Sequence, residues 1–342
     1  MVETGAGMAG GTPDDDVRLY TMGDSGYFLG AVALVNSLRL TGNEQPITFL
    51  DLGLTPAQHE VLSAHCDVVD IERDARDHPY TFQPYPYVLG ATGTCVIIDS
   101  DVIVTGRLDS VIDAASTGKI ACFADNFQRF TPEWASIFEL REPLVRSDPY
   151  VNSGLLALDA GRNRRFLERW WGLCRALEIA DPPDHRGPIG FADQDALNAL
   201  LMSEYRDARS IVSEPRFAIG HNTLRHTEVV DVDALRCTFD AQAVVALHST
   251  SQPKPWAPRA QFLLRRSAYI TCLRRCLSGP GLTITLPEEQ LPRWLRNTPR
   301  ATVELRVMQT VAPLGRAAYK VKQELTTVGS AFDRRRDSRG PA

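Results

Sequence analysis

Short apolar segments alternate along this chain with longer segments of helical character, and this alternation limits the fold more than any other feature. The apolar segments with strand character are 17–22, 47–52, 67–71, 94–99, 119–125, 151–160 and 243–249. The segments with helical character are 26–42, 55–65, 165–179 and 193–205. Strands that alternate with helices predict an α/β fold with a mixed, mostly parallel central sheet, in which ligands bind beyond the carboxyl ends of the strands.

The distribution of charge divides the chain into an acidic body and a basic C-terminal segment. The net charge is −5, yet from Arg259 onward 16 Lys and Arg stand against 6 Asp and Glu. We expect a disordered lead-in at 1–16, one α/β domain at 17–277, a basic amphipathic helical segment at 278–330 and a disordered tail at 331–342.

Cysteine usage and the N-terminal residues predict a cytoplasmic protein. The 7 cysteines are scattered and include no Cys-x-x-Cys pair, which is typical of reduced thiols. The N-terminal residues lack the basic and apolar regions of a secretory signal, and no apolar run approaches the roughly 18 residues of a membrane span. We expect no nucleic-acid partner, because the body is acidic and contains no recognised nucleic-acid-binding module.

The basic segment at 278–330 has two interpretations. In the first, its apolar residues, among them Trp294 and Leu295, form a helix that packs on the body. In the second, its arginines hold the protein on the anionic inner face of the cell membrane, where each basic residue near the surface contributes about 1 kcal/mol. The second interpretation describes a peripheral membrane protein.

Two carboxylates one residue apart follow an apolar strand in "VIIDSDVIV" at 96–104, where Asp99 and Asp101 flank Ser100. Further Asp-x-Asp pairs are Asp14-Asp16, Asp193-Asp195 and Asp231-Asp233. Two like charges at a buried strand end are costly unless a cation lies between them. Carboxylate oxygens suit Mg²⁺ or Mn²⁺, so Asp99 and Asp101 are candidate metal ligands. The alternative is a capped turn with solvated carboxylates.

A second group of polar residues follows the apolar strand "AVVAL", in "HSTSQPKPW" at 248–256. His248 can ligate Mn²⁺ or can hydrogen-bond a carbonyl group. Lys254 lies between Pro253 and Pro255, which favour a stiff extended loop, and its ammonium group suits a diphosphate. Each residue alone is more often structural, but together they predict half of a metal–diphosphate site.

Four landmarks in this order resemble the family 8 glycosyltransferases, the retaining nucleotide-sugar enzymes that include glycogenin and bacterial lipopolysaccharide galactosyltransferases. They are "YTMGDSGYFLGAVALVNSL", "IIDSDVIV", "YVNSGLLALD" with "FADQDALNALL", and "HSTSQPKPW". The resemblance covers roughly residues 17 to 260. It implies a GT-A fold, in which a Rossmann-like sheet is flanked by helices, and it makes 17–277 a nucleotide-sugar-binding catalytic domain.

The resemblance also implies a role for particular residues. Asp99, Asp101 and His248 match the metal ligands, and Lys254 and Ser251 match positions at the diphosphate. The small side chain of Ser100 leaves room for the donor's ribose or sugar. The cofactor would be Mn²⁺ or Mg²⁺, with a UDP-sugar as the donor.

Five more residues match positions that hold the nucleotide and the donor sugar. Asp24 and Tyr27 match the uridine contacts, although Tyr27 is alternatively a half-buried aromatic residue of the first helix. Asn152 matches a contact to sugar or ribose, and its alternative is an Asx turn. Asp193 and Gln194 match the catalytic segment: Asp193 would hold sugar hydroxyls, and Gln194 would lie on the face opposite the leaving group. The alternative for Asp193 is a helix N-cap.

Two departures from the family pattern affect the expected diphosphate site. Ser251 stands where the family usually has Gly, and a positive φ there would strain Ser. The family also tends to carry a basic residue before the metal strand, but no Lys or Arg lies between Thr81 and Ile98.

The expected activity is metal-dependent, retaining transfer of a glucose- or galactose-type hexose from a UDP-sugar to an acceptor hydroxyl. The acceptor is unidentified, and one expectation is a lipid-linked or cell-envelope glycan, bound by loops at 125–150 and 181–190. Two other functions remain open at this point: a sugar nucleotidyltransferase, and a non-catalytic binding protein on a glycosyltransferase body.

Overall fold

The structure is a computed structural model, and it describes residues 17–73, 78–146, 149–177, 187–257 and 267–303. The predicted lead-in at 1–16 and tail at 331–342 lie outside the described residues. Within the described part, the apolar segments form strands and the segments of helical character form helices, as the sequence predicts.

The strands follow one another along the whole described chain. They are β1 (Val17–Gly23), β2 (Ile47–Asp51), β3 (Asp67–Asp70), β4 (Thr94–Ile98), β5 (Val102–Val104), β6 (Ile120–Ala124), β7 (Val151–Asp159), β8 (Arg209–Ile211), β9 (Arg216–Ile219), β10 (Glu228–Asp231), β11 (Arg236–Phe239) and β12 (Gln242–His248). Each of the predicted strands is present with both ends within about one residue of the predicted bounds. Strands β5 and β8 to β11 were not predicted.

The helices connect these strands and cover the sheets. They are α1 (Phe28–Leu40), α2 (Pro56–Ser63), α3 (Asp109–Ser116), α4 (Trp134–Ile137), α5 (Arg164–Ala176), α6 (Ala192–Leu201), α7 (Gly220–His226) and α8 (Ala268–Ser278). Helix α2 begins with the expected capping box, in which Thr55 and Gln58 exchange hydrogen bonds and Pro56 is the first helical residue.

The main sheet has 7 strands in the order β3-β2-β1-β4-β7-β6-β8. Strands β1 to β4 are parallel to one another, and β7 runs antiparallel to both of its neighbours. The sheet is therefore mixed and mostly parallel, as predicted. The carboxyl ends of β1 and β4 lie at one edge, because parallel strands end on the same side of a sheet.

A smaller sheet places the C-terminal half of the chain against the metal-binding candidates. Its order is β10-β11-β12-β5, and β9 pairs in parallel with β12. Strand β5 begins one residue after Asp101, and it pairs antiparallel with β12. This pairing joins the segment after the Asp-x-Asp turn to the strand that ends at His248.

Helix α1 is buried on nearly all sides, because the main sheet, β5 and α8 surround it. Its buried residues are mostly small or aliphatic, which explains why its sequence lacks a polar face. Gly30 makes the closest approach: a Cβ there would lie 2.4 Å from the carbonyl oxygen of Ser100 and 2.5 Å from the Trp256 ring. The helix therefore supports the Asp-x-Asp turn directly.

The described part of the C-terminal segment packs on this helix. Asn36 of α1 donates to the carbonyl oxygens of Cys276 and Ile284 and accepts from the backbone N–H of Ile284. Leu291 and Leu295 are buried in the same core. Residues 279–298 are irregular apart from two short 3-10 turns, and residues 299–303 are helical. Residues 304–330 lie outside the described residues. None of the described helices has the length and hydropathy to cross a membrane.

Candidate functional site

A cavity of about 720 Å³ opens at the carboxyl ends of β1, β4 and β12. All predicted site residues except Ser251 line it: Asp24, Tyr27, Asp99, Ser100, Asp101, Asn152, Asp193, Gln194, His248 and Lys254. Residues from distant parts of the chain thus share one cavity of the size that holds a small-molecule ligand.

The base of the cavity is the turn between β4 and β5. The turn is closed by a hydrogen bond of 3.0 Å from the backbone N–H of Val102 to the carbonyl oxygen of Asp99. Tyr269 of α8 donates to the carbonyl oxygen of Asp101 at 2.9 Å. This turn directs both carboxylates toward the cavity, and buried residues hold it on both sides.

His248 reaches the two carboxylates because β12 and β5 are paired in register. His248 lies opposite Val102, so its imidazole faces the neighbouring carboxylates. Its Nε2 atom lies 3.1 Å from Oδ1 of Asp101 and 3.5 Å from Oδ2 of Asp99. The ligand atoms of these three residues lie within 4.8 Å of one another, which suits a shared divalent cation.

The imidazole of His248 fits into a space that exists only because residue 154 is glycine. A Cβ on Gly154 would lie 2.4 Å from Cε1 of His248 and 2.7 Å from Nδ1. On its other side the ring stacks on Phe217, with centroids 5.7 Å apart and an interplanar angle of 5°. These contacts hold the ring in one plane.

The electrostatics of this cluster are dominated by burial and by opposite charges. Burial raises the pKa of Asp99 to about 6, against the opposing effect of His248. Burial also acts to raise the pKa of Asp101, but Lys254 and His248 outweigh it and hold that pKa well below its usual value. Burial acts to lower the pKa of His248, yet the neighbouring carboxylates raise it. Asp101 therefore loses its proton more readily than Asp99 does.

Lys254 supplies the positive charge next to the Asp101 carboxylate. Its Nζ atom lies 2.5 Å from Oδ2 of Asp101 and 5.3 Å from the centroid of the Tyr27 ring. Tyr27 in turn packs edge-on against Trp256, whose indole N–H donates to the carbonyl oxygen of Gly26 at 2.7 Å. The segment around residues 252–256 is thereby fixed against the start of α1.

Asp24 and Tyr27 occupy the turn between β1 and α1. The Oδ1 atom of Asp24 accepts from the backbone N–H of Gly26 at 2.9 Å, so one carboxylate oxygen orders the turn. Tyr27 is the N-cap residue of α1 and does not lie within the helix, although it packs against the core as the alternative interpretation expects.

Asp193 and Gln194 lie in the first turn of α6, facing the cavity. The N-cap residue of this helix is Phe191, so the alternative in which Asp193 is the N-cap is wrong. The Oε1 atom of Gln194 accepts from the backbone N–H of Ser153 at 3.0 Å, from its hydroxyl at 3.3 Å and from Nδ2 of Asn152 at 3.0 Å. Burial, and then the charge of Asp99, raise the pKa of Asp193 to about 8.

Solved glycosyltransferase structures share this fold. The galactosyltransferase LgtC, in complex with donor and acceptor sugar analogues, is 17% identical with a TM-score of 0.51, and the match covers 80% of this chain and 98% of that chain. An active-site mutant of LgtC is 16% identical with the same TM-score of 0.51 and the same coverage, 80% and 98%.

A third match, the bifunctional glycosyltransferase WbbM, is 15% identical with a TM-score of 0.50. The match covers 87% of this chain and 52% of the WbbM chain, so this chain spans about half of WbbM. The chain has the GT-A fold. No protein-family model matches its sequence, and no curated protein matches it.

The two departures from the family pattern are accommodated differently in this GT-A chain. Ser251 is absent from the residues with positive φ, so it is not strained there, and its hydroxyl lies 3.1 Å from that of Ser249. The second departure is the lack of a basic residue between Thr81 and Ile98. In this segment Gln83 donates from Nε2 to Oδ1 of Asp99 at 2.6 Å. Among the described residues that line the cavity, Lys254 alone is a Lys or Arg.

Asp125 is a central site residue that the sequence analysis did not identify. Its Oδ2 atom accepts from Nδ2 of Asn152 at 2.7 Å and from Nε2 of Gln194 at 3.2 Å, and it lines the cavity. The available signal was its position: like Asp99, it directly follows a buried apolar strand, β6. Gln83 and Tyr269 carried no comparable local signal.

The expected acceptor loops meet at the mouth of the cavity. The described part of the 181–190 loop begins at residue 187, and Gly190 donates its backbone N–H to Oδ2 of Asp195 at 2.7 Å. Arg129 bonds the carbonyl oxygen of Gly187 and pairs with Asp195 at 3.2 Å. The Phe127 and Phe191 rings pack edge-to-face at the same mouth, with centroids 5.9 Å apart. Residues 181–186 of this loop lie outside the described residues.

The raised pKa of Asp193 predicts that the metal-free protein loses stability as pH rises. This pKa is 3.8 in the unfolded reference and about 8 in the fold, so the folded state binds the extra proton between these values. The free energy of unfolding should therefore fall from about pH 4 to about pH 8. Asp193→Asn cannot ionise, and we expect it to become more stable than wild type as pH rises through this window.

Urea denaturation of both proteins across this pH range measures the difference. Asp113→Asn, on an exposed position of α3, is the matched control and should follow wild type throughout. A stability difference between Asp193→Asn and wild type that does not change with pH would contradict the assignment.

Proposed function

We propose that this protein is a metal-dependent retaining glycosyltransferase that moves a hexose from a UDP-sugar to an acceptor hydroxyl. The observation that carries the proposal is the arrangement of Asp99, Asp101 and His248 around one point, with Lys254 beside them, at the base of a cavity of about 720 Å³. The GT-A fold supports it as an analogy of fold, and the site geometry supports it independently.

The donor set fits Mn²⁺ or Mg²⁺. Two carboxylates and one imidazole are ligands that Mn²⁺ accepts, and the cavity leaves room beside them for oxygen ligands from a diphosphate. A bound divalent cation would neutralise the charge that develops on the UDP leaving group. Lys254 places its ammonium group at the same point, and Asp101 holds it there.

The uridine, the ribose and the sugar of the donor are assigned to residues that line the cavity. Asp24 and Tyr27 line one end of the cavity and would orient uridine. Ser100 lies between the two carboxylates and leaves space for the ribose or the sugar. Asp193 faces the same space from α6, and at neutral pH its raised pKa keeps much of it protonated, so it can donate to a sugar hydroxyl as well as accept from one.

The hydrogen bonds that the side chain of Gln194 already makes favour a front-side mechanism. Its Oε1 atom already accepts from two groups of Ser153 and from Asn152, so no lone pair is free to attack the anomeric carbon. We propose that the acceptor attacks from the side on which UDP leaves and that a UDP oxygen takes its proton, which retains the configuration. One of the LgtC structures is of an active-site mutant at a glutamine, which draws attention to Gln194 in this chain.

The hexose, the acceptor and the place of action stay predictions. A glucose- or galactose-type donor is expected, and a lipid-linked or cell-envelope acceptor would enter past Phe127 and Phe191. Attachment to the inner face of the membrane would depend on the basic segment at 278–330, of which residues 304–330 lie outside the described residues.

A donor panel tests the proposed function. Purified protein is incubated with UDP-glucose, UDP-galactose and their N-acetylated forms, with Mn²⁺, and UDP release is measured with and without EDTA. We expect release from at least one UDP-hexose, loss of release with EDTA and recovery on adding Mn²⁺. Absence of both turnover and Mn²⁺-dependent donor binding across the panel would overturn the proposal. Donor binding without turnover would instead favour the non-catalytic binding protein.

A further inference from the structure

The side-chain amide of Asn152 makes every hydrogen bond that it is able to make. Its Oδ1 atom accepts from the backbone N–H of Gly154 at 2.9 Å and faces Nδ1 of His248 at 3.2 Å. Its Nδ2 atom donates to Asp125 at 2.7 Å and to Gln194 at 3.0 Å. A buried amide with two accepted and two donated hydrogen bonds has no capacity left for a ligand.

The direction of each of these hydrogen bonds is determined by two backbone N–H groups, which can only donate. Gly154 N–H requires an acceptor, so Oδ1 of Asn152 must face it and Nδ2 must face the other way. Ser153 N–H likewise requires an acceptor, so Oε1 of Gln194 faces Ser153 and the Gln194 amide nitrogen faces Asp125. Neither amide can be reversed without setting a donor against a donor.

These directions determine which nitrogen of His248 carries the proton. Because Nδ1 faces the amide oxygen of Asn152, Nδ1 must be the protonated nitrogen of the neutral imidazole. The Nε2 atom then presents its lone pair toward Asp99 and Asp101, at 3.5 and 3.1 Å. A lone pair directed at two carboxylates is unfavourable unless a cation, or a second proton on the ring, lies between them.

We propose that Asn152 is a positioning residue that holds His248 as the Nδ1–H tautomer, with Nε2 directed at the metal position, and that it does not contact the donor sugar. Gln194 and Asp125 hold Asn152 in this orientation. The inference rests on the proposed function only in taking the Asp99–Asp101–His248 group as a metal site. It replaces the sugar or ribose contact that the resemblance implies for Asn152.

Nitrogen NMR of the protein labelled with ¹⁵N-histidine tests the tautomer directly. The His248 signals are assigned from their loss in His248→Gln, and the metal-free wild type is measured at a pH above the pKa of this imidazole. We expect the directly bonded proton on Nδ1 and the unprotonated nitrogen at Nε2. A neutral wild-type imidazole with its proton on Nε2 would overturn the proposal, and this measurement requires no substitution at residue 152.

Substitutions at residue 152 then test the coupling to the metal. Asn152→Leu removes the acceptor and keeps the branched shape of the side chain, and we expect mixed tautomers and about 10- to 100-fold weaker Mn²⁺ binding by calorimetry. Wild-type tautomer and wild-type Mn²⁺ affinity in Asn152→Leu would contradict the inference.

A matched control distinguishes a specific effect of Asn152 on His248 from a general loss of structure. Asn163→Leu also removes a buried amide, one that donates to the carbonyl oxygens of Gly118 and Asp159, away from the cavity. It should lower stability without changing the His248 tautomer or the Mn²⁺ affinity. None of these readouts requires sugar transfer, so a protein with the expected tautomer but no turnover would overturn the proposed function and leave this inference standing.

Discussion

Asp101→Asn is expected to reduce Mn²⁺-dependent UDP release by about 10²- to 10³-fold or more, the effect of removing one charge-stabilising group from an active site. Asp101 is buried, and its carboxylate contacts both His248 at 3.1 Å and Lys254 at 2.5 Å. Asparagine keeps the shape but removes the negative charge that a divalent cation and the Lys254 ammonium group require. The rate is measured with the best UDP-hexose from the donor panel.

The matched control for this variant is Asp70→Asn. Asp70 also lies beside a histidine and a second aspartate, since its carboxylate is 3.5 Å from Nε2 of His59 and near Asp51. Asp70 itself is exposed and lies outside the cavity lining, so its neutralisation should leave UDP release unchanged. An Asp101→Asn protein with wild-type turnover would exclude the proposed metal site.

Folding must be measured alongside, because breaking a buried ion pair costs about 3–5 kcal/mol when one charge is left alone. Urea denaturation and circular dichroism give the folded fraction of Asp101→Asn. Asp99→Asn is the second variant, since Asp99 contacts Gln83 and not Lys254, and its carboxyl has the higher pKa. Loss of turnover in a folded Asp99→Asn supports the metal site even if Asp101→Asn is unstable.

Gly154→Ala is expected to weaken Mn²⁺ binding by about 10- to 100-fold, as other disturbances of a metal ligand's surroundings do. The added Cβ would lie 2.4 Å from Cε1 of His248 and 2.9 Å from Oδ1 of Asn152, distances that no side chain tolerates. The imidazole must therefore move away from the two carboxylates. We also expect a loss of about 1–3 kcal/mol in the free energy of unfolding, the usual cost of overpacking.

Gly172→Ala is the matched control for this substitution. Gly172 lies in helix α5, and a Cβ there would have no neighbour within 4 Å. Alanine should increase the free energy of unfolding by about 0.5–1 kcal/mol and leave Mn²⁺ binding unchanged. Calorimetry gives the affinity of each variant, and urea denaturation gives the stability. Equal Mn²⁺ affinity in Gly154→Ala and wild type would show that Mn²⁺ binding does not depend on the present position of the His248 imidazole.

Local sequence patterns predicted the main strands well because most of these strands are buried on both faces. A strand with two buried faces needs a nearly continuous apolar run, such as β4 and β7, and such runs are visible without knowledge of the partner strand. The same reasoning missed β8, β10 and β11, which have 3, 4 and 4 residues and contain charged or half-exposed positions. Their pairing partners stabilise them, and those partners are not visible in a short window of sequence.

The residues of the candidate site also divide into those that local sequence identifies and those that only contacts between distant segments reveal. Asp99, Asp101 and His248 were identified because each follows an apolar strand, where ligands collect in α/β folds. Asp125 follows a strand in the same way, but nothing local shows that it holds two amides of other segments. Gln83 was not identified: the sequence shows only that no Lys or Arg lies between Thr81 and Ile98, and the contact of Gln83 with Asp99 depends on the fold.

The sequence by itself determined the α/β class, the strands that carry the carboxylates and the residues whose side chains suit a divalent cation, because apolar runs and side-chain chemistry are local properties. Only the tertiary structure decided that His248 lies opposite Val102, that Lys254 pairs with Asp101 across 153 positions, and that the amide of Asn152 is already occupied. Strand partner, register and hydrogen-bond direction depend on contacts between distant segments. A carboxylate beside a strand becomes a site only when another strand brings the imidazole to it.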